Sequence, residues 1–204
     1  MADLGTPRQG DLFSSALGAG AAGAEELPLQ EHQLRQWQQR LLDVQQPRFV
    51  AVAEGRSLAA GQINLFETGG PASTVQRLDP LALAPQHLQF WRWPEAQSTG
   101  AALYFVIDRP PHLPGSLLLY VGETAQADQR WKGEHDCKSY LAAYGEALQR
   151  VGLGSQLSIR FWNDAPIEVR PRRALEQALI RHWLPPFNKE TRGRWATPFT
   201  AEIS

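Results

Sequence analysis

The chain is nearly free of sulfur: it has one cysteine, Cys137, and one methionine, Met1, in 204 residues. A single cysteine excludes an intramolecular disulfide, which suits a reducing compartment. Charge of one sign is also missing, since 20 Lys and Arg stand against 21 Asp and Glu, a net charge of −1. That balance excludes a globally basic nucleic-acid-binding coat, so any such surface has to be local. No apolar run reaches the ~20 residues that a membrane-spanning helix needs. The start, Met1-Ala2-Asp3-Leu4-Gly5-Thr6, has neither the basic opening nor the apolar stretch of a secretory signal. His135 and Cys137 stand close together, but no second Cys/His pair follows at ligand spacing, which excludes a zinc site. The expectation is a soluble, cytoplasmic protein without a membrane partner.

What is present changes along the chain. Residues 1–26 are rich in Gly, Ala and Ser and carry too few large apolar side chains to offset their ordering entropy; they are expected to be a disordered tail. From 27 to 46, Leu34, Trp37, Leu41 and Val44 recur at helical steps, with Pro28 suited to a first turn and Pro47 expected to stop the helix. The rest of 27–99 reads as an irregular linker, broken at Gly69-Gly70-Pro71, although Phe90, Trp91 and Trp93 want a surface to cover.

From residue 100 the pattern sharpens into a domain expected to run to about 200. Ala102–Ile107 and Leu117–Val121 are continuous apolar runs, as in strands buried on both faces. Pro110–Gly115 between them can only turn. Residues 128–150 read as helix, in two pieces broken at Gly133 or Gly145. Leu157, Ile159 and Phe161 alternate with polar or amphipathic neighbours as a third strand. Pro171 opens a last helix with Leu175, Leu179 and Trp183 on one stripe, ended by Pro185-Pro186. The predicted fold class is α+β, a small antiparallel three-stranded sheet flanked by helices.

Within this stretch, Ala102-Leu103-Tyr104 stands where Gly-Ile-Tyr would stand in a known signature, and Tyr120-Val121-Gly122 where Tyr-Ile-Gly would. Arg130 and His135 follow, then Glu176 inside Arg173-Ala174-Leu175-Glu176-Gln177-Ala178-Leu179-Ile180, then Asn188 after Pro186-Phe187. In this order and on these elements the series resembles the GIY-YIG nuclease family, over about residues 100–190. The resemblance implies a metal-dependent endonuclease that hydrolyses DNA phosphodiester bonds, in repair or recombination. It implies Tyr104, Tyr120, Arg130, His135 and Glu176 as catalytic residues, with Glu176 as the ligand of Mg²⁺ or Mn²⁺. Gly122, Lys138, Arg172, Arg173, Asn188 and Lys189 are expected at the substrate, Asn188 by fixing local backbone. Two departures stand out: Ala102 replaces the first glycine of the signature, and the loop between the first two strands is long, either a recognition loop or a tolerated insertion.

The residue types suit that chemistry. A hard divalent cation takes oxygen ligands, and one carboxylate with water and phosphate is a usual set. A guanidinium donates in a fixed fork to phosphate oxygens. An unperturbed phenol has a pKa of about 10, so Tyr120 as a general base needs a metal or cation beside it. His135 lies about 140° around a regular helix from Arg130, so the two converge only if Gly133 bends the chain. Glu176 could equally pair with Arg172 or Arg173, and Arg130 with Glu134.

A local basic surface exists in Arg170, Arg172, Arg173, Arg181, Lys189, Arg192 and Arg194, with Trp183 and Trp195 among them. Such mixtures track phosphates and stack bases, though solvated helix faces look the same. Gln9–Phe13 and Gln62–Phe66 resemble the Gln-x-x-Leu-Phe peptides by which bacterial replication and repair proteins dock on a sliding clamp. They support an alternative, a catalytically weak DNA- or clamp-binding module. A restriction endonuclease is a further alternative.

Overall fold

A computed structural model describes residues 29–59, 71–89, 98–130, 132 and 136–199. The architecture is α+β, with three antiparallel strands flanked by helices. β1 (Ala102–Asp108) is central and pairs with β2 (Leu117–Thr124) on one side and β3 (Leu157–Trp162) on the other. All seven residues of β1 are buried, as its unbroken apolar run predicts. Alternate residues feed two cores. One face of the sheet carries Ala102, Tyr104 and Val106 against α4 (Asp136–Arg150) and the start of α1 (Glu31–Ala59). The other carries Leu103, Phe105 and Ile107 against α5 (Val169–Trp183), α2 (Pro71–Arg77) and the end of α1.

The first helix departs from expectation. It does not stop at Pro47 but runs through it to Ala59. Pro47 is exposed, so the carbonyl it leaves without an N–H faces water. On either side the helix is fastened: Leu34, Trp37 and Leu41 enter one core, Phe49 and Val52 the other. Burial of Phe49 and Val52 at roughly 1.5–3 kcal/mol each offsets the ~3 kcal/mol cost of an internal proline. Residues taken for linker therefore join the core. Val75 and Leu78 pack there too, and Gln86 exchanges backbone hydrogen bonds of 2.8 and 2.9 Å with Ile159 on the outer edge of β3. Phe90–Pro94 lie outside the described residues.

The remaining elements differ only in detail. The helix after β2 is in two pieces, α3 (Ala127–Arg130) and α4, and Gly145 sits inside α4 with open space around it rather than breaking it. α5 starts two residues before Pro171, which occupies the first turn, where an N–H has no intrahelical acceptor. A short α6 (Arg192–Trp195) follows. The long β1–β2 loop lies at the end of the hairpin remote from Tyr104 and Gly122, with Leu113 packed on the core and Gly115 against Leu42 and Gln46. Among the described residues no helix is long and apolar enough to cross a membrane.

The outer edge of β2 is covered group by group. Gln45 from α1 accepts from the Leu118 N–H (2.8 Å) and donates to its carbonyl (2.9 Å). The Phe187 N–H donates to the Leu119 carbonyl (3.1 Å). Asn188 accepts from the Val121 N–H (3.0 Å) and donates to its carbonyl (2.8 Å). Glu176 accepts from the Glu123 N–H (3.0 Å). Side chains thus replace the neighbouring strand that an edge would otherwise seek.

Candidate active site

The site is built at this covered edge. Tyr104 pairs across the strands with Gly122, and its ring lies directly over that glycine. A Cβ on Gly122 would come within 2.3 Å of Tyr104 Cζ and 2.4 Å of its hydroxyl. Only glycine leaves room for this tyrosine. Tyr120 stands two residues before Gly122, on the same face of β2. It pairs with Val106 in the same register and so shares Tyr104's face, and a bulge just beyond it, between the Val106 and Ile107 pairings, leaves Leu119 as an extra residue. The two rings then lie 5.9 Å apart at an angle of 28°. Arg130, in the last turn of α3, donates from Nε to the Tyr104 hydroxyl (3.1 Å). Ala102, the departure from the glycine signature, is fully buried in ordinary strand pairing with Thr124, and its methyl is part of the core.

Glu176 reaches the edge from the other face. It lines a cleft of about 380 Å³ with Tyr120, Asn188, Lys189 and Arg192. Burial, then the carboxylates of Glu123 and Glu190, push the Glu176 carboxyl up to about 7; the Glu123 N–H and Arg130 oppose them. Burial pushes the Tyr120 hydroxyl up to about 12 and Tyr104 well above the usual phenol range. Both hydroxyls therefore hold their protons at neutral pH. Burial alone would lower Arg130, but Tyr104, Tyr120 and Glu123 raise it, so its charge is secure.

The expected residues separate on this geometry. Tyr104, Tyr120, Gly122, Arg130 and Glu176 come together, and Lys189 lies exposed on the cleft wall. Arg173 is exposed at the rim, its Nε 3.3 Å from Glu123 Oε1. Asn188 is 4% exposed and its amide is committed to Val121, so it fixes backbone and does not hold substrate. Arg172 is a correction. It is 1% exposed, with Nε on Glu123 Oε2 (2.7 Å) and Nη1 on the carbonyls of Pro166 and Ile167, so it cannot meet a substrate. Its spacing of three and seven from Leu175 and Leu179 puts it on the inner stripe of α5, a signal already in the sequence. Lys138 is half-buried on α4 and is not among the residues that line the cleft. His135, Gln9–Phe13 and Gln62–Phe66 lie outside the described residues.

Glu123, Tyr140, Gln177 and Glu190 were not anticipated. Glu123 holds Arg172 and Arg173 while its N–H holds Glu176. Gln177 donates to Glu190 (2.7 Å) at the cleft wall. Single polar residues of this kind carry no spacing signal; only Glu123, directly after Gly122, was marked by its position.

Among the described residues no group of three or more His, Cys, Asp or Glu is arranged to hold a metal ion. Two carboxylates line the cleft, Glu176 and Glu190; Glu190 accepts from Gln177, and Glu176 stands beside Tyr120 as the candidate ligand. One of its oxygens is held on a backbone N–H, and its charge is disfavoured by burial and by two nearby glutamates. Such a carboxylate fits a hard divalent cation that takes its other ligands from water and phosphate. Comparison with protein-family models, with curated proteins and with solved structures finds no match.

Proposed function

We propose that the protein is a GIY-YIG-type endonuclease that hydrolyses DNA phosphodiester bonds with Mg²⁺ or Mn²⁺ at Glu176. The observation that carries this reading is the meeting of Tyr104, Tyr120, Arg130 and Glu176 at one covered sheet edge, from four separate elements. Structural ion pairs do not need two desolvated phenols and a desolvated carboxylate around one arginine.

Each residue has a task its geometry suits. Glu176 would hold the cation, which supplies Lewis-acid stabilisation of charge on the phosphate. Arg130 is fixed by Tyr104 through one nitrogen and keeps its remaining N–H groups for phosphate oxygens. Tyr104 orients Arg130 and Tyr120. Tyr120, protonated at neutral pH, orients the attacking water; it acts as a base only when a cation beside it stabilises the phenolate. Gly122 and Asn188 hold the strand on which these groups stand.

A cytoplasmic role in DNA repair or recombination, with a sliding clamp bound through Gln9–Phe13 and Gln62–Phe66, belongs to the same proposal. The test is conversion of supercoiled plasmid to nicked or linear DNA. Conversion with Mg²⁺ or Mn²⁺, abolished by EDTA, is expected. No conversion with either metal would leave the binding-module reading in its place, and cutting at one sequence only would favour a restriction enzyme.

A further inference from the structure

The cleft beside Tyr120 holds a second arginine, Arg192, and the fold fixes it from two sides. Its backbone N–H donates to the Asn188 carbonyl (2.9 Å), and the Asn188 amide is clamped on Val121, next to Tyr120 in β2. Its side chain is held by Tyr140 from α4. Nη1 donates to the Tyr140 hydroxyl, and Cζ lies 5.6 Å from the centre of the Tyr140 ring. Tyr140 is itself packed in place. It is 9% exposed, and its ring stacks on Phe187 (5.7 Å, 18°), which stacks on Trp37 (6.4 Å, 16°).

The same arrangement surrounds Arg130, which donates from Nε to the Tyr104 hydroxyl (3.1 Å) with Cζ 5.9 Å from that ring's centre. Tyr120 thus has a tyrosine-borne arginine on either side, brought by different elements. Arg192 is exposed, and among the described residues no carboxylate pairs with it. Glu190, which lines the same cleft, accepts from Gln177 instead (2.7 Å). Only Nη1 is engaged by another side chain, so Nε and Nη2 keep their N–H groups for a ligand. A loose arginine carries about 2 kcal/mol of rotamer entropy. Tyr140 orders the guanidinium before a ligand arrives, so less is lost on binding. A solvated helix face has no need of a buried aromatic stack under its arginine.

We propose that Arg192, positioned by Tyr140, holds a phosphate of the bound DNA strand in this cleft; this rests on the reading of the protein as DNA-binding. Arg192 is then a substrate-binding residue. Tyr140 is a positioning residue, which acts only through Arg192. The planar fork of a guanidinium meets two phosphate oxygens at once. Lys189, exposed on the same wall, adds a point charge to the same strand.

The test uses the full chain with Arg192→Gln, Tyr140→Phe, the two together, and Arg150→Gln as a control. Arg150 is exposed on α4, outside the cleft and paired with Glu146. Circular dichroism and melting show that each variant folds. Binding to a fluorescent 30-base-pair duplex is measured by anisotropy in EDTA across NaCl concentrations. Each backbone phosphate contact contributes about 0.9 to the slope of log K against log salt. Arg192→Gln is expected to lose about 0.9 of that slope and about tenfold in affinity. Tyr140→Phe keeps the ring and loses only the hydroxyl, and is expected to bind about threefold more weakly. The double variant is expected to bind like Arg192→Gln, and Arg150→Gln like the wild type. Wild-type slope and affinity in Arg192→Gln overturn the proposal, as does an equal loss in Arg150→Gln or a wild type with no salt-dependent DNA binding. Wild-type affinity in Tyr140→Phe, or a double variant weaker than Arg192→Gln, overturns the role given to Tyr140. If Arg192→Gln loses slope but the wild type nicks no plasmid with either metal, the phosphate contact stands and the nuclease reading falls.

Discussion

Gly122 and Glu176 show how much rests on single side chains. Gly122 leaves space that the Tyr104 ring fills, so an added methyl forces that ring, and Arg130 with it, to move. Gly122→Ala is expected to destabilise the fold by about 1–3 kcal/mol, measured by urea denaturation, and to lower nicking by at least tenfold. Near-wild-type nicking would mean that Tyr104 is core and nothing more. Glu176 makes a prediction about pH. Its carboxyl is raised from 4.5 to about 7 in the fold, so as pH climbs the unfolded chain loses this proton first. Stability is therefore greatest below about 4.5 and is lost as pH rises towards about 7. In metal-free buffer the wild type should fall by on the order of 1–2 kcal/mol relative to Glu176→Gln across that window, after discounting for partial exposure. A constant difference between the two proteins across the window would contradict the proposed desolvation.

At the scale of elements, two features decide where the site groups stand: the run of α1 through Pro47 and the capping of the β2 edge. Gln45 is the clearest member of that capping, because both its amide atoms serve Leu118 and one also serves Trp183. Gln45→Ala leaves a buried N–H and carbonyl unpaired, at about 1–3 kcal/mol each. A loss of about 2–4 kcal/mol in chemical denaturation is expected, and a loss below 0.5 kcal/mol would show that water replaces the amide. The strands and the later helices were legible in the sequence because β1, β3 and α5 carry strong local periodicity. The passage of α1 through Pro47 was not, since proline is a local signal and the burial of Phe49 and Val52 is a distant one. Nor was the bulge at Leu119, which no residue type announces.

On the scale of the whole molecule, the signature residues were legible as an ordered series, and four of them meet in space. Their surroundings were not: Glu123 and the buried Arg172 join residues distant in sequence. The clamp-like peptides lead to a prediction of separable functions. Changing Leu12, Phe13, Leu65 and Phe66 to Ala should abolish binding to a bacterial sliding clamp, measured by surface plasmon resonance, and leave cleavage of naked DNA unchanged. Equal clamp binding by both proteins, or none by either, would remove the proposed clamp partner. The account as a whole turns on Glu176 as the one carboxylate that holds a catalytic cation. The most direct measurement is the Mg²⁺-dependent nicking rate of Glu176→Gln beside the wild type, with both proteins shown to be folded. A fall of at least 10²-fold is predicted, because the amide keeps the Glu123 hydrogen bond but loses the anionic ligand. A rate within threefold of wild type would contradict it.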